Sequence, residues 1–227
     1  MQTPYLVLAA ALGAIAIFIA LFRLPHVEGG TAEDADNALP VRHGVWHYPH
    51  LVMGALAIFA YVGAEVSIGS FLVSTMGLPT IAGLAPEVAG RYLSLYWGLA
   101  MVGRFIGSGL MRRIPPMHLL ACNALVNVVL LMLAMLVGGR LAMWSLLSIG
   151  LFNSIMFPTI FSLALARLGK FTSEGSGMLC MAIVGGAVLP LLQGGAADTL
   201  GLMPSFVIPV LCYLYVAYYG FAGYRPR

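Results

Sequence analysis

Leu, Ala, Val, Ile and Met fill long stretches of this chain, and short segments that hold most of the charges separate them. The stretches show no period-two alternation of polar and apolar positions, so they predict helices rather than barrel strands. A helix that crosses hydrocarbon needs about 20 mostly apolar residues. Seven stretches meet that need, at 4–22, 50–75, 89–111, 117–137, 141–166, 175–197 and 203–221. Residues 23–49 interrupt the pattern with Glu28, Glu33, Asp34 and Asp36, three Gly and three Pro, which predicts a solvated linker. The later connections are short. Residues 50–227 are therefore expected to form one six-helix bundle, with the helix in 1–22 tethered more loosely through the linker.

Composition settles the solvent. Hydrophobic residues make up 61% of the 227 and charged residues 8%, with a mean hydropathy of +0.96. Too few polar side chains exist to cover a water-facing surface, so lipid is the main solvent and the chain is an all-α integral membrane protein. The net charge is only +3, and the basic residues are scattered rather than striped, which excludes nucleic acid as a partner. Cys122, Cys180 and Cys212 are odd in number, lie in apolar runs and lack metal spacing, and they read as small core residues. Met1-Gln-Thr-Pro4 carries no basic segment, so a cleaved leader is not expected. His43, His47 and His50 approach ligand spacing, but Pro49 interrupts it and no carboxylate is close by, so no metal is expected. No nucleophile, zinc, phosphate-loop or dinucleotide motif occurs; the chain is not read as an enzyme, and no cofactor is expected.

Cations next to the spans set the expected orientation. Arg23, Arg42, Arg112, Arg113, Arg167, Lys170, Arg225 and Arg227 fall on one set of connections, and only Arg91 and Arg140 on the other. The linker and C-terminus are thus expected in the cytoplasm.

The polar residues inside the spans are the candidates for chemistry. Glu65 is the one acid far from any span end, with no other charge from Leu51 to Pro86. A charge near the bilayer centre costs roughly 2.5–3.5 kcal/mol on insertion scales, so such residues face a bundle interior or a watery cavity. Glu65 suits proton coupling or hydrogen bonding to a polyol; as a neutral acid it would equally bond a neighbouring helix. Tyr61 and Gly69 stand one turn to either side, on the same face. Pro158 sits far inside the fifth span and removes a helical hydrogen bond, leaving the carbonyl near Ser154 in need of a partner. Asn153, Ser154 and Thr159 cluster around that break, which reads either as a substrate site or as a kink satisfied by its own hydroxyls. Gly185, Gly186 and Pro190 predict a bendable sixth span, and Gln193 near its outer end reads as a cavity or an interfacial residue. Arg104, in Gly103-Arg-Phe-Ile-Gly107, is either a gating element or an arginine that snorkels to the interface.

Four segments carry a resemblance: Tyr61-Val-Gly-Ala-Glu-Val-Ser-Ile-Gly-Ser-Phe-Leu72, Gly103-Arg-Phe-Ile-Gly-Ser108, Phe157-Pro-Thr-Ile-Phe-Ser-Leu-Ala164 and Leu168-Gly-Lys-Phe-Thr-Ser-Glu-Gly-Ser176. Together they resemble the C-terminal half of fucose/glucose/galactose permeases of the major facilitator superfamily, over nearly the whole chain. The resemblance implies a twelve-helix fold of two six-helix halves around a central sugar site, with protonation of buried acids driving monosaccharide uptake in a bacterial inner membrane. It implies that the first span is equivalent to the sixth helix, the linker to the connection between halves, and the last six spans to a 3+3 inverted-repeat C-terminal half. Arg104 would fall in the loop motif at the eighth helix, and Phe157-Pro158 in the tenth.

On that reading Glu65, Asn153, Phe157, Tyr61 and Gln193 line the wall of a hexose site, while Arg104, Pro158, Gly185 and Gly186 serve the conformational cycle. The principal proton-coupling acids are expected in the half that these residues do not match. A glutamate at position 65 fits the glucose/galactose branch, where an amide is expected in the fucose branch, and this favours a role in binding sugar hydroxyls. The expected partners are a monosaccharide, a proton, the lipid bilayer and a separate N-terminal half. The alternative is a non-transporting truncated membrane protein or a module that binds other helices.

Overall fold

The computed structural model describes residues 44–225 together with 9–10, 12–15 and 17–18. The expected span at 4–22 and the linker at 23–49 otherwise lie outside the described residues. Eight α-helices follow the linker: α1 (Pro49–Gly77), α2 (Pro86–Leu110), α3 (Pro116–Val137), α4 (Gly139–Asn153), α5 (Met156–Leu165), α6 (Thr172–Ala182), α7 (Gly185–Leu200) and α8 (Val207–Tyr218), the last running into a π-helical turn, Tyr219–Gly223. Proline opens α1, α2 and α3 at the first helical position, where a missing N–H costs nothing and the fixed φ suits the helix. Gly138 and Gly201 follow α3 and α7 with φ of 68° and 95°, a region that glycine enters without a Cβ penalty.

Two of the expected spans are broken in the middle. Ser154 and Ile155 separate α4 from α5, and Ile183 and Val184 separate α6 from α7. The first break lies just upstream of Pro158, because the ring clashes with the carbonyl four residues back. The second lies immediately before Gly185-Gly186, whereas Pro190 stays inside α7. Taken across these breaks, five rods among the described residues are long and apolar enough to cross a membrane: Pro49–Gly77, Pro116–Val137, Gly139–Leu165, Gly169–Leu200 and Pro204–Gly223. α2, expected as a span at 89–111, has 25 residues and hence the length, but it is less apolar than the other five.

α1 is the central element and packs against α7, α8, α5, α2 and α6. Small residues let the backbones meet. A Cβ on Gly185 would run into the Phe59 carbonyl, one on Gly63 into Leu189, and one on Gly54 into Ala164. α2 and α4 form a second seam of the same kind, in which Gly103 abuts the Leu151 carbonyl and Gly150 the Tyr96 carbonyl. The bundle interior is filled by Tyr61, Tyr96, Tyr213, Tyr219 and Phe206 among aliphatic residues, while Phe105, Leu136, Met181 and Leu191 point outward. An apolar exterior around a core that contains the polar groups is the arrangement that lipid demands.

His50 bonds the Ala166 carbonyl, and Gly220 lies against Met117. These contacts gather the start of α1, the end of α5, the start of α3 and the end of α8 at one end of the bundle, and with them Arg112, Arg113, Arg167, Lys170 and Arg225. Arg91 and Arg140 lie toward the opposite end, where Gly139 N–H donates to the Thr80 carbonyl.

If the α1–α7 seam holds the bundle, Gly185→Ala destabilises the purified protein by about 1–3 kcal/mol, the usual cost of overpacking, in a thermal or denaturant unfolding series. Gly98→Ala, which meets nothing within 4 Å, leaves the transition where it is.

Candidate functional site

The break between α4 and α5 opens the wall of a cavity of about 730 Å³, a size typical of small-molecule sites. α1 contributes Tyr61 and Glu65; α2 contributes Arg104 and Ser108, and Met111 follows at its end. Ser154 and Ile155 of the break, and Phe157, Pro158, Thr159 and Ser162 of α5, complete most of the lining. Glu65 and Tyr61 are one helical turn apart and reach the same space, as their i, i+4 spacing predicts. Arg104, on α2, lines the same cavity as Glu65.

Local hydrogen bonding explains what the hydroxyls offer. Thr159 donates to the Ile155 carbonyl at 2.7 Å and Ser162 to the Thr159 carbonyl at 3.1 Å. Their protons are spent on the backbone at the break, and their oxygens retain lone pairs as acceptors. Phe157 stacks on Phe161 at a 5.9 Å centroid separation and an interplanar angle of 28°, which fixes an aromatic face beside these polar groups. The cavity therefore combines a carboxyl, a guanidinium, several hydroxyl acceptors and a flat apolar surface.

Asn153 is the last residue of α4, and it does not line the cavity. It is completely buried and joins four other helices. Its side-chain oxygen accepts from Asn127 of α3 at 2.8 Å and from Tyr213 of α8 at 2.7 Å. Its amide donates to the Tyr96 hydroxyl of α2 at 3.0 Å, and its backbone carbonyl accepts from the Tyr61 hydroxyl of α1 at 2.9 Å. The broken helix thus has its orphaned carbonyl satisfied from outside, and the amide pinned by three helices. Gln193 is also fully buried, away from both the cavity and the surface, and donates to Ser205 at 3.3 Å across the turn into α8.

Of the residues picked out in the sequence, the structure brings Glu65, Tyr61, Phe157, Arg104 and Pro158 to one cavity, while Asn153 sits in an interhelical network and Gln193 bonds Ser205 in the turn before α8. Gly185 and Gly186 are packed against Phe59 and Val62 of α1. Sequence reasoning passed over Asn127, Tyr96 and Tyr213. An amide in the middle of the very apolar 117–137 run is itself a signal of an interhelical hydrogen bond, but nothing in the chain indicates that these three meet at one atom group. Among the described residues no group of three His, Cys, Asp or Glu could hold a metal ion.

Helices broken at mid-membrane depth beside a polar cavity are the architecture of membrane transporters. No family model matches the chain, but individual proteins do. It is 52% identical over 221 residues to the glucose/galactose transporter of Brucella abortus biovar 1 (strain 9-941), covering 97% of this chain and 53% of that one. It is 31% identical over 236 residues to the L-fucose-proton symporter of Escherichia coli (strain K12), covering the whole chain and 52% of the symporter. The crystal structure of the major facilitator superfamily transporter FucP in the outward conformation superposes with a TM-score of 0.80 at 29% identity, over 96% of this chain and 53% of FucP. The chain spans about half the length of the curated relatives it matches. In sequence and in fold it fits the C-terminal half of a fucose/glucose/galactose-type permease of the major facilitator superfamily, a multi-pass membrane protein whose relatives are transporters and not enzymes.

Asn153→Ala leaves two donors and one hydroxyl acceptor unpaired in the core. The expected loss is at least about 1–3 kcal/mol, the cost of one buried unsatisfied group, read as a lowered unfolding midpoint; Asn123→Ala, which removes a single half-buried bond to the Phe152 carbonyl at 3.2 Å, shifts it less.

Proposed function

We propose that this chain forms the C-terminal wall of a monosaccharide transporter of the glucose/galactose type, which moves sugar by proton symport through alternating access. The observation that carries this reading is the Glu65 cavity beside the α4–α5 break, in a chain that is 52% identical to a glucose/galactose transporter. The Glu65 carboxylate accepts hydrogen bonds from two sugar hydroxyls, the Ser162 and Thr159 oxygens accept further ones, and Phe157 covers the C–H face of the ring. Charge-assisted hydrogen bonds of this kind are about twice as strong as neutral ones. Arg104 keeps the carboxyl in a positive field when the site is empty.

The opposite wall comes from a second six-helix half, in the same or a separate polypeptide, and the two halves rock about the site. In the full membrane topology, 50–227 form a 3+3 inverted repeat, and the Arg-rich end with the C-terminus faces the cytoplasm of a bacterial inner membrane. The α4–α5 break at Pro158 and the α6–α7 break before Gly185-Gly186 are the points at which this half bends, and Arg104 stands at the cytoplasmic mouth.

The test is proton-linked hexose uptake into vesicles by the assembled two-half transporter. Glu65→Gln raises the half-saturating sugar concentration about tenfold, equivalent to 1.4 kcal/mol, while uptake stays dependent on the proton gradient. Unchanged affinity in that variant removes Glu65 from the sugar wall. Absence of uptake even with a competent second half would favour a protein that only binds other helices.

A further inference from the structure

The ring of His50, at the Arg-rich end of the bundle, is a buried polar group that the transport reading does not use. It is fully buried. Its Nε2–H donates to the Ala166 carbonyl at 2.9 Å, and this fixes the tautomer: in the neutral ring Nδ1 carries a bare lone pair and can only accept. That Nδ1 is itself buried and has no partner among the described residues. A buried polar atom without a protein partner is rare and calls for a ligand or a water. His50 lines a cavity of about 110 Å³ where the start of α1 meets the end of α8 and its π-helical turn. A water takes up about 30 Å³ of liquid, so the space accepts a polar group of a few heavy atoms. Met53, Tyr218 and Ala222 wall the cavity, and Arg225, which is exposed, brings a guanidinium to it. No acid lines it, so nothing there holds a second proton on the ring. The cavity thus pairs a buried acceptor with an exposed cation.

We propose that this cavity binds the headgroup of a membrane phospholipid that carries an N–H or O–H donor, as phosphatidylethanolamine and phosphatidylglycerol do. The phosphodiester sits on Arg225, and the headgroup donor reaches His50 Nδ1. A simple anion would satisfy the guanidinium but meet a lone pair at Nδ1, whereas a phosphate with a donor a few bonds away satisfies both. The guanidinium–phosphate hydrogen bonds are charge-assisted, which makes them the stronger part of the contact. The position suits a lipid. Trp46, exposed in the turn before α1, marks the level of the membrane interface. Arg112, Arg113, Arg167 and Lys170 lie at the same end of the bundle, where cations draw in the phosphates of the leaflet. The inference rests on this end of the bundle and not on the transported molecule, so a failed sugar-affinity test leaves it standing.

Native mass spectrometry of the full chain, titrated with phospholipids of identical acyl chains, tests this. Phosphatidylethanolamine and phosphatidylglycerol bind about tenfold more tightly than phosphatidylcholine, whose trimethylammonium has no proton to donate, the scale of one buried hydrogen bond. Arg225→Gln weakens phosphatidylethanolamine binding about tenfold, the scale of one hydrogen bond to a charged group, and leaves the unfolding midpoint where it is. In ¹⁵N spectra of histidine-labelled protein, the His50 Nδ1 signal shifts with phosphatidylethanolamine and stays still with phosphatidylcholine. Equal binding of phosphatidylcholine, an unmoved Nδ1 signal, or unchanged affinity in Arg225→Gln means that the cavity holds water only and overturns the proposal. Glycerophosphoethanolamine, the same headgroup without acyl chains, separates the two sources of this chemistry. Bound lipid that resists displacement by an equal concentration of it supports the bilayer as the source; full displacement reassigns the site to a soluble phosphodiester and overturns the lipid assignment.

Discussion

One side chain holds this bundle together at the place where it would otherwise come apart. Pro158 interrupts the helix that runs from Gly139 to Leu165, and in a hydrocarbon environment the freed carbonyls have no water to turn to. At the end of α4 the Asn153 carbonyl accepts from Tyr61 of α1, and the Asn153 side chain bonds Tyr96 of α2, Asn127 of α3 and Tyr213 of α8. An amide has both donors and acceptors, which suits it to a junction where two hydroxyls, a second amide and the broken backbone converge. A hydrophobic residue of the same size would leave these partners buried and unpaired, and each would cost more than the net gain of an ordinary hydrogen bond.

The cavity follows from that junction. On α5, Thr159 and Ser162 line the cavity with their protons already committed to the backbone, and Phe157 stacks on Phe161 to present a flat wall. Across from them, α1 brings Glu65 and Tyr61, and the close glycine seam between α2 and α4 draws Arg104 to the rim. Tyr61 belongs to both the junction and the cavity: its hydroxyl donates to the Asn153 carbonyl, and its side chain lines the space beside Glu65. The strong match to sugar permeases is thus accompanied by a site whose parts suit a polyol: charged and neutral acceptors beside an aromatic face.

Much of this was legible in the sequence, and the reasons are local. Glu65 stood out because an acid inside an apolar run has to have a polar destination, and Tyr61 followed from helical spacing. Pro158 located the break to within a turn because its steric clash acts four residues upstream. Residues whose role depends on direction across the bundle were not legible. Asn153 reads from the sequence as a residue of the break and Gln193 as a cavity or interfacial residue; Asn153 turns into an interhelical network whose partners lie far away in the chain, Tyr96 and Tyr213 at separations of 57 and 60 residues, while Gln193 makes one bond, to Ser205. α2 was legible as a span at 89–111, but nothing in its hydropathy shows that Gly103 is the position at which it meets the α4 backbone. The charge asymmetry between connections read from the sequence corresponds to the gathering of Arg112, Arg113, Arg167, Lys170 and Arg225 at one end of the described bundle.

The central claim is that Asn153 makes a single cooperative junction out of α1, α2, α3 and α8. A double-mutant cycle between Asn127→Ala and Tyr213→Phe measures this most directly, because both residues donate to the same Asn153 oxygen. The account predicts that the two losses in unfolding free energy fail to add, with a coupling of about 0.5–3 kcal/mol. Simple additivity, within about 0.3–0.5 kcal/mol, would contradict it.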